Sequence, residues 1–428
     1  MVLEIKFKNF FSIKDEISID FRAAPLNSAP AKALQENTYM CQENKLLKTV
    51  VLYGANASGK SNIIKAIRFA LALIMESHQH NENTTFNFKP FKFGNSPQEP
   101  SCFFIRFTSE GTEYEYSYCL NKERIVKESL HFFPKGRRKE IFSRDENRGD
   151  QKKDIYRFGN VIKRPMDVAQ NTSTKTLFLS RASQMDREIP KSLFHYFSSN
   201  FTLKYHDYGM EAVRALKGTA KAPLLEALKI ADSDLIDVEV AVVYGTSRPG
   251  YSPYTEGITS MVMENNDPEQ LRITTYHKKD PTRGFDFFTE ESAGTQKLFF
   301  MMLTILDVVQ HQKCMLVDEI EDSLHPKILD YIFRCFHAGD GAQLLCTTHN
   351  THFLDLKKLR KDQIYFVDKQ EDASTDLYSL YDFKDFRENM DLEKAYLQGR
   401  FDAIPYLNDD KQQIMALING TKEEAESR

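Results

Sequence analysis

The stretch that most constrains the fold of this sequence is a glycine-rich segment ending in lysine and serine, Gly54 to Ser61 within VVLYGANASGKSNII. The apolar, β-branched run before it predicts a strand, and the apolar residues from Ile63 to Leu73 recur at helical period. Small residues at this spacing let backbone N–H groups and a helix N-terminus face a polyphosphate. The lysine then reaches the β- and γ-phosphates, and the serine hydroxyl takes a place on Mg²⁺. A chance match is the alternative, but the strand-to-helix context favours a site for ATP or GTP.

The size and charge of the chain limit the classes of function that fit it. Its 428 residues suggest about two or three lobes. With 57 basic and 61 acidic residues, the net charge is −4, so any contact with nucleic acid requires a local basic patch. The densest basic segment is Lys135 to Lys139, which we interpret as a solvated hairpin tip because nearby acids dilute its charge and no aromatic residues interleave it. Contact of this segment with phosphate stays open.

The N-terminus and the cysteines bear on the compartment. Residues 1–10 alternate charge and apolarity, and the apolar run Phe69 to Met75 is too short to span a bilayer. We therefore expect no signal peptide, no membrane attachment and a cytoplasmic location. The six cysteines form no CxxC pair, which predicts neither a metal site nor a disulfide framework.

The hydrophobic pattern before residue 180 predicts a β-rich N-terminal half around the phosphate loop. Alternation from Leu3 to Phe21 predicts two strands, and Arg22 to Lys45 is loop-like. Three further β-rich runs with turn signals predict an antiparallel meander: Cys102 to Phe107, Glu113 to Leu120 and Arg124 to Phe133. The segment LFLS from Leu177 predicts a short strand.

The middle of the chain changes pattern and reads as an inserted lobe. A helical pattern from Ala212 to Ile230 is followed by three runs of strand periodicity: Val238 to Tyr244, Thr259 to Met263 and Leu271 to His277. No sustained heptads occur between Ser61 and Ser292, so no long coiled coil is expected. The predicted division is an N-terminal lobe with phosphate loop and meander (1–180), an inserted helical and β lobe (181–285), and a C-terminal lobe (286–428).

The C-terminal lobe supplies candidate partners for the phosphate loop. A Ser-x-Gly turn at Ser292 opens an apolar helix, and the apolar run CMLV leads into Asp318 and Glu319. Buried parallel strands read as continuous apolar runs, and ligands bind at their carboxyl ends. Asp318 is then placed to hold Mg²⁺ and Glu319 to polarise the attacking water. An ordinary strand end is the alternative.

A second apolar run in this lobe, QLLCTT, ends at His349. We predict that its strand lies beside the strand before Asp318, in parallel. His349 could then form a hydrogen bond to a γ-phosphate. A purely structural histidine is the alternative.

Several motifs together resemble a known family. They are Gly54-x-Asn56-x-Ser58-Gly59-Lys60-Ser61-Asn62, Ser292-x-Gly294, Asp318-Glu319, Ser323-Leu324-His325-Pro326 and Thr348-His349. As a set they resemble the ABC-type ATPases of the SMC, RecF and OLD group. Five longer segments together resemble compact AAA-type ATP-binding proteins that accompany phage-defence nucleases, including PARIS-like and Rlo-like systems: ESAGTQKLF, DEIEDSLHP, TTHNTHFLD, DQIYFVDK and YLQGRFDAIPYL. The resemblance runs from Leu3 to about Leu407. The resemblance implies an α/β fold: an ABC-type P-loop ATPase head with a mixed sheet, an N-terminal antiparallel β-rich lobe and an insertion.

The resemblance also implies roles for individual residues. ATP, chosen over GTP on this ground alone, is held by the phosphate-loop residues Gly54, Asn56, Ala57, Ser58, Gly59, Lys60, Ser61 and Asn62 and is contacted by Ser292 and Gly294 of a second subunit in a head-to-head dimer. Ser61 and Asp318 hold Mg²⁺, Glu319 is the general base, Ser323 lies in a loop that crosses the dimer, and His349 is the switch histidine. Gln184 is the candidate for the glutamine that contacts Mg²⁺ and water, with an exposed polar residue at a helix start as the alternative.

The sequence departs from the family pattern at two positions around the signature serine. Glu291 replaces a commoner Leu, and Thr295 stands where Gln or Glu is usual. These changes leave phosphate contact by Ser292 intact and bear on the rate of hydrolysis.

Three classes of function follow. The first is an ATPase whose dimer, or larger ring of dimers, is the sensor and scaffold for a separate effector, a nuclease, in antiviral defence. The effector is expected on another chain because the 428 − 349 = 79 residues after His349 lack a cluster of carboxylates for a two-metal nuclease. The second is a RecF-like ATPase that clamps DNA. The third is a scaffold that binds ATP without turnover, which Glu319 argues against because a scaffold needs no general base.

Overall fold

The computed structural model describes residues 1–203, 218–231, 233–244, 269–386 and 390–405, with the single residues 216, 411, 414, 415 and 418. Its strands are β1 Val2–Lys8, β2 Ile17–Asp20, β3 Thr38–Cys41, β4 Asn44–Leu47, β5 Thr49–Gly54, β6 Ser101–Ser109, β7 Thr112–Leu120, β8 Ile125–Phe132, β9 Lys139–Asp145, β10 Tyr156–Phe158, β11 Phe201–Thr202, β12 Leu235–Tyr244, β13 Glu269–His277, β14 Asp280–Asp286, β15 Cys314–Val317, β16 Gln343–Thr347, β17 Ile364–Lys369 and β18 Thr375–Ser379. Its α-helices are α1 Ala29–Ala33, α2 Lys60–Glu76, α3 Lys152–Ile155, α4 Pro165–Gln170, α5 Phe178–Gln184, α6 Glu188–Ser199, α7 Lys221–Ile230, α8 Ala293–Gln310, α9 Pro326–Ala338 and α10 Leu392–Leu397.

A six-stranded mixed sheet forms the centre of the molecule, in the order β11-β15-β16-β5-β17-β18. Strands β15, β16, β5 and β17 run parallel, and β18 is antiparallel to β17. Every residue of β5, β15 and β16 is buried, as expected for parallel strands covered on both faces.

Each face of this sheet belongs to a separate hydrophobic core. On one face Val50 and Leu52 of β5 cluster with apolar residues of α2. On the other face Val51 and Tyr53 cluster with residues of α8 and α9. Because successive side chains of a strand point to opposite faces, β5 is held between both cores, and this fixes where its carboxyl end lies.

A seven-stranded antiparallel sheet has the order β10-β9-β8-β7-β6-β1-β2. The three predicted β-rich runs correspond to β6, β7 and β8, which pair with their neighbours as a meander. This sheet contacts the same core as α2, and the Tyr118 hydroxyl donates to the Ala70 carbonyl of that helix at 2.9 Å. The segment Lys135 to Lys139 lies in the β8–β9 connection and at the start of β9 and is largely exposed.

The insertion contains a three-stranded antiparallel sheet, β12-β13-β14. Helix α7 buries Leu224 and Leu228 in the core that also holds α8. By contrast, β11 pairs with β15 in the central sheet and Phe197 of α6 shares the core of α2. The predicted strand Thr259 to Met263 lies outside the described residues. The domain boundaries at 180 and 285 stay predictions.

The α/β fold class with a mixed sheet is confirmed. Within the described residues the longest helix has 18 residues, in keeping with the expectation of no long coiled coil. None of the described helices has the length and apolarity needed to cross a membrane.

Three local predictions are wrong. LFLS is not a strand, because Phe178 and Leu179 begin α5, and their amides donate to the Glu128 carboxylate of β8 at 2.7 and 3.0 Å. That carboxylate satisfies N–H groups at the start of the helix. The loop-like segment Arg22 to Lys45 contains α1, β3 and the first residues of β4. Cys102 and Cys119, which face each other in the β6–β7 register, form a disulfide.

Candidate active site

The phosphate loop connects β5 to α2, as predicted. Ala57 and Gly59 have positive φ values of 63° and 112°, which turn the chain around the loop. The Lys60 side chain lies across it and donates from Nζ to the carbonyl oxygens of Gly54 and Ala55, at 2.8 and 2.9 Å. A Cβ at Gly54 would lie 2.3 Å from the Val367 carbonyl oxygen, so only glycine fits the close approach of β5 to β17.

Two residues missed by the sequence analysis hold this loop from outside. Thr375, at the start of β18, donates from Oγ1 to the Ser58 carbonyl at 2.8 Å, and a Cβ on Gly59 would lie 2.0 Å from the same hydroxyl. Ser12, in the turn after β1, shares a 2.7 Å hydrogen bond with Thr375 and accepts another of 2.7 Å from Asn62 Nδ2. No motif marks either residue, because both come from distant parts of the chain.

The acids predicted to handle Mg²⁺ and water follow β15 at the same edge of the sheet. Thr347, at the end of β16, donates from Oγ1 to Asp318 Oδ1 at 2.7 Å and accepts from the Glu319 amide at 2.7 Å. Glu319 is exposed and has φ +50°, a conformation that costs energy for a non-glycine residue and occurs often at functional sites. The sequence analysis missed Thr347, which contacts both acids through one hydroxyl.

His349 lies on the loop after β16, and β16 separates β5 from β15. The His349 amide donates to Glu321 Oε1. Burial lowers the pKa of its imidazole, and the positive charge of Lys60 lowers it further. Both effects favour neutral imidazole, which can donate one hydrogen bond.

Lys60 is electrostatically coupled to the same acids. Burial lowers its pKa to about 8, while Asp318, Glu319 and Glu321 act in the opposite direction. Each of these acids acts on the lysine, and the lysine acts on His349, so the structure brings the predicted Lys60, Asp318, Glu319 and His349 within electrostatic range of one another at the carboxyl edge of the sheet. Glu321 is an addition to that set, marked in the sequence only by its place two residues after Glu319.

Ser292 and Gly294 lie at the start of α8. Ser292 caps the helix, its Oγ accepting from the Thr295 amide at 3.0 Å, and it is exposed. A Cβ on Gly294 would lie 3.3 Å from the carbonyl oxygen of Ser323. Ser323 is also exposed and has φ +57°. Among the hydrogen bonds of the described residues, none joins Ser292 or Gly294 to the phosphate loop of the same chain.

Gln184 is the exposed last residue of α5. The start of α5 is fixed at the far end of α2, where Leu177 N donates to Ser77 Oγ at 3.2 Å and His78 N donates to Ser180 Oγ at 3.1 Å. Since α2 has 17 residues, that anchor is about 25 Å from the phosphate loop. Gln184 therefore lies at a helix end and not at a helix start. No described contact joins it to the site, and its assignment stays a prediction.

The donor set fits a nucleotide with Mg²⁺. Gly54 and Gly59 lie so close to Val367 and Thr375 that a Cβ would overlap those residues, so the loop can follow this path only with glycine at both positions. The Ser61 hydroxyl and the Asp318 carboxylate are oxygen ligands of the kind that Mg²⁺ prefers. Glu319 directly follows Asp318, its carboxylate is exposed, and it acts electrostatically on Lys60, as suits a base for water.

The strand order, the phosphate loop and the acids beyond the intervening strand define an α/β protein with a P-loop nucleotide-binding fold. Residues 50–355 match a family profile described as "AAA domain, putative AbiEii toxin, Type IV TA system". This match covers well over half of the 428 residues, and the chain belongs to this family.

Solved structures of SMC heads are similar to this chain at low identity. The SMC head bound to the C-winged helix domain of ScpA has 14% identity and a TM-score of 0.41, covering 92% of this chain and 99% of that one. The SMC head domain from Thermotoga maritima has 12% identity and a TM-score of 0.38, covering 88% and 98%. No curated protein matches the sequence.

Proposed function

We propose that this chain binds ATP with Mg²⁺, hydrolyses it slowly, and closes head to head with a second copy around the nucleotide. The observation that carries the proposal is the placement of Lys60, Asp318, Glu319 and His349 at one edge of the central sheet. Their strands come from distant parts of the sequence, so this convergence is specified by the fold. Membership of the AAA-domain family supports it.

Each side chain has a role that its surroundings support. Lys60 would move from the carbonyls of Gly54 and Ala55 to the phosphates, whose charge favours the ammonium form. Ser61 and Asp318 would hold Mg²⁺, which when bound neutralises phosphate charge. Glu319 would take a proton from water, and neutral His349 would donate a hydrogen bond to a phosphate oxygen.

Closure by a second copy is supported by the start of α8. Ser292 is exposed, and a Ser hydroxyl with free N–H groups at the N-terminus of a long helix suits a phosphate oxygen. The absence of any described contact from Ser292 to its own phosphate loop fits a role in the opposite subunit's site.

At the cellular level we propose a sensor and scaffold in antiviral defence that controls a separate effector protein, a nuclease. The family description names a putative AbiEii toxin and a Type IV TA system, which supports a place in such a system. The RecF-like alternative would require DNA on the closed dimer and is an outcome of the test below.

The first experiment tests the composite site by subunit mixing. Lys60→Ala should abolish nucleotide binding, and Ser292→Arg should retain binding but block closure by its bulk and charge. Each variant alone should be inactive. A mixture should recover part of the activity, because a mixed dimer pairs the intact Lys60 of one subunit with the intact Ser292 of the other. No recovery in exchanged, dimeric mixtures would overturn the composite site.

The second experiment identifies the partner with Glu319→Gln, which should bind ATP without hydrolysis and accumulate closed dimers visible by light scattering. The variant is purified from the native host, and co-purifying proteins and nucleic acid are identified. A stoichiometric nuclease without DNA supports the scaffold. DNA without such a partner would support the DNA clamp instead of the scaffold. The wild-type protein and Lys60→Ala are purified in parallel, to control for capture that does not depend on ATP.

A further inference from the structure

A buried ionic contact connects the three-stranded sheet of the insertion to the start of α8. His277, the last residue of β13, donates from Nε2 to Glu291 Oε1 at 2.8 Å and from Nδ1 to Asp234 Oδ1 at 2.9 Å. Only 6% of the Glu291 side chain is exposed. The Thr275 hydroxyl donates to the same Glu291 oxygen, and the ring of Phe285 packs edge-on against the imidazole.

The charge of the imidazole matches this environment. Burial lowers the pKa of His277, but the hydrogen bonds to Asp234 and Glu291 outweigh burial, and the pKa lies above its ordinary value. The protonated ring can then donate from both nitrogens. A buried carboxylate without a charged partner would be costly, so the contact fixes Glu291 against β13.

Glu291 directly precedes Ser292. Its carbonyl oxygen accepts from Gln296 Nε2 at 3.0 Å, and the Ser292 carbonyl accepts from the Gln296 amide at 2.9 Å. Gln296 is buried inside the first turns of α8. The Glu291 side chain therefore lies on β13, while its main chain is tied to the helix that Ser292 caps.

We propose that the His277–Glu291 contact positions Ser292, so that the insertion sheet sets the alignment of the serine offered to the opposite subunit's nucleotide. This inference rests on the proposed composite site. It gives a structural reason for the acidic residue at position 291, where the resembled family commonly has Leu, which could not make this contact. His277 and Glu291 are positioning residues that touch no substrate.

The test separates the two ring nitrogens. In His277→Asn the side-chain amide can replace Nδ1 toward Asp234 but cannot reach Glu291, whereas in His277→Gln the longer amide can replace Nε2. The matched control is His311→Asn, which makes the same substitution at another histidine beside a carboxylate, 2.9 Å from Nδ1 to Asp307, just after the opposite end of α8. An 18-residue helix places that end about 27 Å from Ser292.

We expect His277→Asn to lower kcat about tenfold, the scale of one charge-assisted hydrogen bond, without changing the affinity for a fluorescent ATP analogue. His277→Gln should recover most of the loss and His311→Asn should resemble wild type. Equal kcat for the two asparagine variants would overturn the inference. So would loss of nucleotide affinity in His277→Asn, because the effect would then not be confined to Ser292.

A second variant keeps the inference testable if His277→Asn melts below the assay temperature. Glu291→Leu removes the same contact and should lower kcat about tenfold, whereas Glu291→Gln, whose amide oxygen can still accept from His277 Nε2, should keep most of the activity. Wild-type kcat in Glu291→Leu would overturn the inference. Failure of the proposed function is distinguishable, because wild type would then show no turnover or Ser292→Arg would leave turnover intact.

Discussion

Replacing Thr347 with valine tests whether one buried hydroxyl organises both acids of the site. Valine has nearly the shape of threonine, and Thr347 is fully buried, so the substitution removes hydrogen bonds without opening a cavity. The bond to the Asp318 carboxylate is worth about 2 kcal/mol and the bond from the Glu319 amide about 1 kcal/mol. The upper limit for the lost stabilisation is therefore about 3 kcal/mol.

Part of that loss should appear in catalysis. If about half of this free energy is lost from the stabilisation of the transition state, kcat/KM falls roughly tenfold. The affinity for nucleotide, which depends on the phosphate loop, changes little. Urea denaturation measures the stability of Thr347→Val, and steady-state turnover measures the catalytic loss. Thr347→Ser, which keeps the hydroxyl, should restore both.

The control is Thr304→Val in α8, since the Thr304 hydroxyl is buried but donates only to the Phe300 carbonyl of the same helix, at 2.8 Å. Its loss should cost about 1 kcal/mol or less and leave turnover unchanged. If Thr347→Val and Thr304→Val have the same stability and turnover, Thr347 does not organise the acids and our interpretation of this strand end is wrong.

Three other predictions test the loop and the sheet. Lys60→Ala should abolish binding in a nucleotide titration, and unchanged affinity would show that the site lies elsewhere. Gly59→Ala should lose both binding and about 2 kcal/mol or more of stability by urea denaturation, because φ is +112° and its Cβ would overlap Thr375; wild-type behaviour would contradict this geometry. Burial lowers the pKa of His337 to about 4, so the unfolded chain binds its proton first as pH falls below about 6.5. Stability should then drop by roughly 2 kcal/mol between about pH 7 and about pH 5, a drop that His337→Gln should reduce and that calorimetry would detect.

The sequence predicted most reliably the features that depend on residues close together in the chain. The phosphate loop, the apolar strands on either side of it and the meander each carry a local pattern of residue type and spacing, and the structure places them as expected. Asp318 and His349 were predicted at one edge because apolar runs ending in polar residues are typical of parallel strands.

The features that the sequence did not predict depend on contacts between distant residues. The helix at Phe178 begins where Glu128 supplies a carboxylate, so the local pattern LFLS gave the wrong structure. Thr375 and Ser12 support the phosphate loop from positions 363 residues apart. The cysteines at 102 and 119 lack a recognisable spacing and meet only because β6 and β7 pair in that register.

The order of strands in the central sheet has a consequence for how the protein folds during synthesis. Both neighbours of β5 come from the last third of the chain, and the first of them begins 343 − 54 = 289 residues after β5 ends. At a synthesis rate of about 5–20 residues per second, β5 remains without a neighbouring strand for on the order of 15 to 60 s. During that time two apolar strand edges are open to intermolecular pairing.

Strands β6 to β9 pair with their sequence neighbours and need no such delay. We therefore expect the antiparallel sheet to form early and the nucleotide site to be among the last parts completed. Yields of folded protein should rise at low temperature, if aggregation then slows more than translation does. They should also rise when chaperones cover the open edges of β5.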